Sequence, residues 1–256
     1  MNARLSLLFF LSSLSLVTLA VETDPPELVS ISVDKYAADI STSEQTFTFQ
    51  VEATDESGID WSKSAISFKP EGGALSTFVF SDPDNSGQFM LTLSNEDQSG
   101  IWQIQFLRLI DVHGNRDDYY GAELVALDLK VSWIYPFDGF TLDVDYDGSA
   151  KALSDGLLVI RHLFGFSGDS LTAGALAFEG LRTSPDLISV YLQASEGDLD
   201  IDGDGEAKPL TDGLLLIRYL FGFSGDSLTA GAIGEGAERT TAEEIEAYIG
   251  DRVPQT

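Results

Sequence analysis

The first half of the chain alternates apolar and polar residues with a period of two. Apolar residues occupy every second position of TFTFQVEA at 46–53, and the same alternation runs from Val125 to Trp133. This period is typical of a β-strand with one buried face. We predict strands at 28–33, 46–53, 66–69, 77–80, 89–93, 102–110 and 125–133. About seven strands over residues 21–140 predict an all-β, immunoglobulin-like sandwich.

In the second half, apolar residues are concentrated in two short segments. They are DGLLVIRHL at 155–163 and DGLLLIRYL at 212–220. Only Arg161 and His162 interrupt the apolar surface of the first segment. A helix this apolar must pack against its twin or against a partner. A second helix is predicted to begin after each segment, and the second half is therefore predicted to be an all-α module.

An internal repeat relates the two apolar segments. The stretch FGFSGDSLTAGA occurs at 164–175 and again at 221–232, an offset of 57 residues. The same offset aligns the apolar segments and the residues before them without a gap, which is typical of a duplicated structural unit. We therefore divide the mature chain into a sandwich at 21–140 and a repeat module at 141–256, with units at 141–197 and 198–256.

The net charge of the chain indicates which classes of partner it can bind. The chain has 42 Asp and Glu residues against 14 Lys and Arg residues, a net charge of -28. Such a field repels nucleic acid and attracts cations, so we predict no nucleic-acid partner. The chain contains no cysteine, so disulfides cannot stabilise it, and bound metal is the obvious substitute.

The first twenty residues, MNARLSLLFFLSSLSLVTLA, predict a secretory signal peptide at 1–20. Arg4 is followed by an apolar run and then by Ala20, a small residue at which a signal peptidase could cut. Serine residues dilute the run too much for a membrane anchor, and no other segment approaches a spanning length. The prediction is a protein that is secreted or at the cell surface, with no membrane span after signal removal.

The candidate chemistry lies just before the two apolar helices, in DVDYDGSAKALSD at 143–155 and DIDGDGEAKPLTD at 200–212. Alternating aspartates, then glycine, then a later acid are the hard oxygen ligands of a calcium loop. Ser149 and Glu206 would contribute backbone carbonyls. The final acid comes one residue later than in a twelve-residue EF-hand loop. Either this shift rotates its carboxylate out of reach, or a bulge absorbs the extra residue. Acidic turns that bind no ion are a further alternative.

The tandem arrangement of a DxDxDG loop and a short apolar helix resembles dockerin type I domains, whose loops bind calcium in an EF-hand-like manner. The resemblance covers 142–166 and 199–223. It implies two Ca²⁺ sites and, by analogy, a link to polysaccharide breakdown. The side-chain ligands that it implies are Asp143, Asp145, Asp147 and Asp155 in the first loop, and Asp200, Asp202, Asp204 and Asp212 in the second.

The first half is similar to bacterial immunoglobulin-like or cadherin-like sandwiches. This similarity is carried by TDPPELVSISVD at 23–34, VEATDESGI at 51–59 and IDVHGNRD at 110–117.

No catalytic set is recognisable in the sequence. The chain has two histidines, and the repeat places Tyr219 where the first unit has His162, so this position tolerates a residue that is no general base at neutral pH. We therefore predict a secreted, non-enzymatic calcium-binding protein that attaches to another exported protein or to a cell-surface polysaccharide. The alternative is a carbohydrate-binding or adhesion protein that uses the sandwich, with Trp61 as the candidate exposed ring and the repeats as a structural tail.

Overall fold

Two β-sheets enclose the apolar core of the first half of the chain. The computed structural model describes residues 22–81, 87–126 and 133–254. One sheet is antiparallel with the order β1-β3-β6, and the other has the order β2-β9-β7-β4-β5, with β8 also paired to β7. The strands are β1 Glu27–Val33, β2 Ala37–Asp39, β3 Gln45–Thr54, β4 Ala65–Pro70, β5 Thr77–Phe80, β6 Gln88–Leu93, β7 Trp102–Ile110, β8 Arg116–Tyr120 and β9 Trp133–Phe137.

The period-two pattern has the expected structural effect in β3. Phe47, Phe49 and Val51 are buried, while the residues between them are partly or fully exposed. The ring of Phe49 lies 4.8 Å from that of Phe68 in β4, which belongs to the other sheet. Contacts of this kind join the two sheets through a single core.

Six of the seven α-helices of the described chain lie in the second half, and one lies in the first. They are α1 Gly121–Ala126, α2 Leu157–Leu163, α3 Asp169–Thr172, α4 Pro185–Ala194, α5 Asp212–Leu220, α6 Asp226–Thr229 and α7 Ala242–Gly250.

The predicted fold class is wrong: the chain is not an all-β sandwich followed by an all-α module. It forms a single domain with mixed sheets. The strand β2 pairs with β9 in parallel, whereas the other pairings between described strands are antiparallel. The helix α1 lies where a strand was predicted to begin at Val125, and its Leu124 is fully buried in the first core.

The sheet and the helices also share a second core. Ala37 of β2 and Phe137 of β9 are buried together with the apolar residues of the repeats, and α4 packs against β2. Apolar contacts therefore cross residue 140, where the sequence predicted a boundary. The division into 21–140 and 141–256, with its two repeat units, stays a prediction.

The two apolar helices pack against each other, which is the first of the two alternatives that their composition left open. A Cβ added to Gly156, just before α2, would lie 3.2 Å from Cδ1 of Leu220 at the end of α5. A Cβ on Gly213, at the start of α5, would lie 3.1 Å from Cγ1 of Ile160 in α2. The start of each helix thus lies beside the later part of the other. Glycine at both places lets the helices approach closely.

The duplicated stretch FGFSGDSLTAGA connects each apolar helix to the next part of its repeat. Gly165 and Gly222 have φ values of +79° and +82°, a conformation that ends a helix and favours glycine. The short helices α3 and α6 follow, and each buries one leucine, Leu171 or Leu228. The connector is therefore a fixed part of the fold.

The predicted signal peptide at 1–20 lies outside the described residues, as do Leu127, Leu129 and Val131 of the seventh predicted strand. Within the described part of the chain, no helix has both the length and the apolarity that crossing a membrane requires.

Candidate metal centres

The first acidic loop brings three aspartates together just before α2. Asp143, Asp145 and Asp155 are buried, and each offers a carboxylate oxygen within 4.8 Å of the others. Two oxygens that bind one Ca²⁺ ion at about 2.3–2.6 Å can be at most about 5 Å apart. The three carboxylates are therefore close enough to share an ion.

The second acidic loop repeats this arrangement 57 residues later. Asp200, Asp202 and Asp212 again offer carboxylate oxygens within 4.8 Å of one another. Asp202 and Asp212 are fully buried, and an open cleft of about 600 Å³ lies beside Asp200. Both acidic groups can hold a metal ion, and the cleft gives the second loop a path to solvent.

A π-type turn absorbs the extra residue of each loop. In the first copy, residues Ala152–Gly156 form a π-helical turn in which Gly156 N–H donates to the Lys151 carbonyl at 3.0 Å. In the second copy, Gly213 N–H donates to the Lys208 carbonyl at 3.1 Å. Each bond spans five residues instead of four, which is the signature of a π-bulge. The final carboxylate is thereby not rotated away from the loop.

Asp155 and Asp212 close their loops through backbone hydrogen bonds. Asp155 Oδ1 accepts from the amides of Val144 at 2.6 Å and Asp145 at 3.2 Å, and its Oδ2 accepts from Lys151 N at 2.8 Å. Asp212 accepts from the corresponding amides of Ile201, Asp202 and Lys208. The final acid thus ties the start of the loop to its end and places the other carboxylates.

The charge of the first group is not fully compensated. Asp145 Oδ2 accepts from Ala177 N at 2.6 Å, but its Oδ1 is buried and has no hydrogen-bond partner among the described residues. Burial raises the pKa of Asp145 and of Asp143, and the neighbouring carboxylate of Asp155 raises both further. A bound cation would supply the missing partner and the missing positive charge.

In the second group, the oxygen that corresponds to Asp145 Oδ1 has a hydrogen-bond partner. Asp202 Oδ2 accepts from Gly234 N at 2.6 Å, and its Oδ1 accepts from Asp204 N at 3.1 Å. Burial nevertheless raises the pKa of Asp202, and the charge of Asp212 acts in the same direction.

The third aspartate of each loop lies outside the group of three. Asp147 forms an ion pair with Lys151, and Asp204 forms one with Lys208 at 2.8 Å. Hydrogen bonding from Lys208 lowers the pKa of Asp204. The ammonium group of each lysine therefore already neutralises the charge of this third carboxylate.

Ser149 and Glu206 lie in the turn that follows the third aspartate. Their amides donate to Asp147 Oδ1 and Asp204 Oδ1, both at 2.9 Å. The Glu206 side chain is exposed and pairs with Lys208. That their carbonyls bind a metal stays a prediction.

Two arginines that the sequence analysis did not single out hold the loops in place. Arg182 donates from its amide to the Asp145 carbonyl at 2.9 Å and from Nη1 to the Val144 carbonyl at 2.8 Å. Arg239 bonds to the carbonyls of the second loop in the same way. The two arginines are 57 residues apart, and so are Tyr191 and Tyr248, the rings on which they stack. The repeat offset was the signal that could have identified them.

A third acidic group belongs to a turn of the first half. It consists of Glu22, Asp111 and His113. Asp111 Oδ1 accepts from the amides of His113 and Asn115, and its Oδ2 accepts from the Asn115 side chain. These bonds make Asp111 a turn-forming residue.

Comparison with known proteins does not add to this geometry. No protein-family model matches the chain, and no curated protein is similar enough to count as a relative.

Proposed function

We propose that the repeats form a tandem Ca²⁺-binding unit of a non-enzymatic, exported protein. The buried, unpartnered Asp145 Oδ1 within a duplicated group of three carboxylates is the observation that carries this proposal. Every candidate ligand is an oxygen atom, which favours a hard cation over Zn²⁺. Mg²⁺ usually keeps several waters and binds one or two carboxylates, whereas these loops supply three carboxylates each, which favours Ca²⁺.

Calcium stabilises the fold in this proposal. The chain contains no cysteine and concentrates negative charge in two places, so ion binding replaces repulsion with attraction. A ligand that binds only the folded state at about a hundred times its dissociation constant adds about 2.7 kcal/mol per site. Export to a medium with abundant calcium, as the first twenty residues predict, would keep both sites loaded.

We further propose that the calcium-loaded unit attaches to another exported protein. This is supported by the tandem resemblance to dockerin repeats and by two matching pairs of exposed rings in the connectors. Phe164 and Phe166 are 52% and 48% exposed, and Phe221 and Phe223 are 56% and 48% exposed. Apolar side chains that stay exposed at equivalent positions of a repeat are typical of an interaction surface.

Calorimetric titration of the full chain with CaCl₂ tests the metal sites. We expect two binding events, and we expect Asp143→Ala and Asp200→Ala to remove one each. Asp251→Ala removes an exposed carboxylate outside both loops and should leave binding unchanged. Absence of calcium binding, together with a melting temperature that is the same in chelator and in calcium, would refute the proposal.

The attachment is tested with the immobilised chain and the exported proteins of its source cells. A partner should be retained in calcium and released by chelator, and the double variant Phe166→Ala, Phe223→Ala should lose it. Phe178→Ala, which changes a fully exposed ring outside the connectors, should retain it. Retention that is insensitive to calcium or to the connector rings contradicts this role.

A polysaccharide ligand is the second candidate, and a row of rings on the mixed sheet favours it. Phe78, Phe106 and Tyr120 lie on neighbouring positions across β5, β4, β7 and β8, with ring distances of 5.8 and 6.2 Å. Trp61, the candidate from the sequence, instead packs against Phe89 of the core. Affinity electrophoresis in soluble neutral glycans tests the row: Phe106→Ala should abolish any retardation, and Trp61→Phe should not.

A further inference from the structure

One arginine connects the first acidic loop to the edge of the six-stranded sheet. Arg182 Nε and Nη2 donate to Tyr135 Oη of β9 at 3.2 and 3.0 Å. The same guanidinium donates from Nη1 to the carbonyls of Val144 at 2.8 Å and Asp143 at 3.3 Å. Arg182 is 6% exposed, and its guanidinium lies 3.7 Å from the ring centre of Tyr191. A single buried group therefore contacts both the sheet and the loop.

Tyr135 is itself held by the parallel strand pair. Its amide donates to the Tyr36 carbonyl at 2.6 Å, and Ala37 of β2 is its partner in the register. Its ring stacks on Phe137. Trp133, two residues earlier in the same strand, lies 5.8 Å from the ring of Tyr36. A shift of Tyr135 must therefore also move this edge of the sheet.

Among the described residues, the second loop has no such connection to the sheet. The residue 57 positions after Tyr135 is Leu192, which is buried in α4. Arg239, the counterpart of Arg182, donates to the carbonyls of Ile201 and Asp200 and stacks on Tyr248, all within its own repeat. Each arginine thus holds its own loop through the loop carbonyls, but only Arg182 also contacts a residue of the sheet.

We propose that Tyr135 is a positioning residue for the first cation site only. Through Arg182 it fixes the backbone carbonyls of residues 143–145. Two of these residues, Asp143 and Asp145, belong to the group of three clustered aspartates. Cation binding at the first loop and the β2–β9 edge are therefore coupled, and the coupling is reciprocal. The second site binds independently of the sheet. This inference rests on the proposed function, because it requires that the loops bind Ca²⁺.

The test uses full-length chains in which only one loop is functional. Asp200→Ala leaves the first loop and Asp143→Ala leaves the second, and each is titrated with CaCl₂ in a calorimeter. Tyr135→Phe keeps the ring and removes the hydroxyl. It should weaken binding at the first loop about fivefold, the low end of usual coupling, and leave the second loop unchanged. Tyr119→Phe removes a hydroxyl that bonds Leu28 and Pro26 far from the loops, and should alter neither.

Tryptophan fluorescence gives a second readout without any change to the sheet. Calcium should alter the tryptophan emission of the chain, to which Trp133 contributes beside Trp61 and Trp102, when only the first loop is functional, and leave it unaltered when only the second is. Equal affinities with and without the Tyr135 hydroxyl, equal weakening at both loops, or an emission change caused by the second loop would each overturn the inference while leaving calcium binding intact. If neither loop binds calcium, the proposed function fails as well.

Discussion

Replacing Asp145 by asparagine separates two effects of its buried carboxylate: the loss of stability of the metal-free fold and the gain in calcium affinity. The substitution keeps the side-chain shape, and the amide oxygen can still accept from Ala177 N. The amide nitrogen would take the place of the unpartnered Oδ1 and donate toward the carboxylates of Asp143 and Asp155, which lie within 4.8 Å. Metal-stripped Asp145→Asn should therefore be more stable than the wild type by about 1–3 kcal/mol, the usual cost of an unsatisfied buried polar group.

The same variant should lose most of the calcium effect at the first loop. A site filled at about a hundred times its dissociation constant contributes about 2.7 kcal/mol. If the affinity falls about a hundredfold, the contribution at that concentration falls to about 0.4 kcal/mol. Urea unfolding in metal-stripped buffer and in CaCl₂ measures both quantities. The advantage of the variant should shrink by about 2 kcal/mol when calcium is added.

Asp202→Asn in the second loop is the matched control. Both oxygens of Asp202 already accept amide hydrogen bonds, so one of them would be replaced by a donor that faces another donor. The metal-stripped control should be less stable than the wild type by about 1 kcal/mol. The reasoning is refuted if Asp145→Asn is no more stable than the wild type without metal, or if it keeps the whole calcium effect.

Three further predictions follow from the same loops and helices. Because the pKa values of Asp143, Asp145 and Asp202 are raised, the metal-free fold binds protons more readily than the unfolded chain. Its free energy of unfolding should therefore rise as the pH falls from about 7 to about 4.5. Urea unfolding at each pH measures this, and a free energy that stays constant or falls over this range contradicts the prediction. Lys208→Gln removes a positive charge from Asp204 and should tighten Ca²⁺ binding at the second loop several-fold in calorimetry, whereas unchanged affinity would show that the ion pair does not compete. Gly213→Ala forces a methyl group against Ile160 and should cost about 1–3 kcal/mol in urea unfolding, whereas Gly197→Ala, which has open space, should cost much less; equal costs contradict the close helix contact.

Much of the local structure could be predicted from the sequence, because it depends on periodicity. The strands at 77–80 and 102–110 were predicted with the observed bounds, and the two apolar helices pack against each other, one of the two alternatives predicted for them. The acidic loops were predicted from the spacing of the aspartates. The sequence left open whether the extra residue rotates the final carboxylate out of reach or is absorbed by a bulge. The observed π-type turn is a matter of backbone geometry that spacing alone does not determine.

Long-range pairing could not be predicted in the same way. The strand β2 has three residues, which is too short for an alternating pattern, and its parallel partner is almost a hundred residues away. The helix α1 was hidden because Val125 belongs to an apparent period-two run. The contact between Arg182 and Tyr135 likewise joins residues that no repeat or motif relates. These three features are the reason that the predicted separation into an all-β and an all-α part is wrong.

The π-type turn also shows how far the two repeats share their backbone geometry. Both copies carry the same extra residue, both absorb it with a bond from a glycine amide to the lysine carbonyl five residues earlier, and both then enter a matching helix. The backbone solution is therefore a property of the repeated unit and is not peculiar to either copy. A change to the residues between the lysine and the glycine should alter the entry into the helix in the same way in both copies.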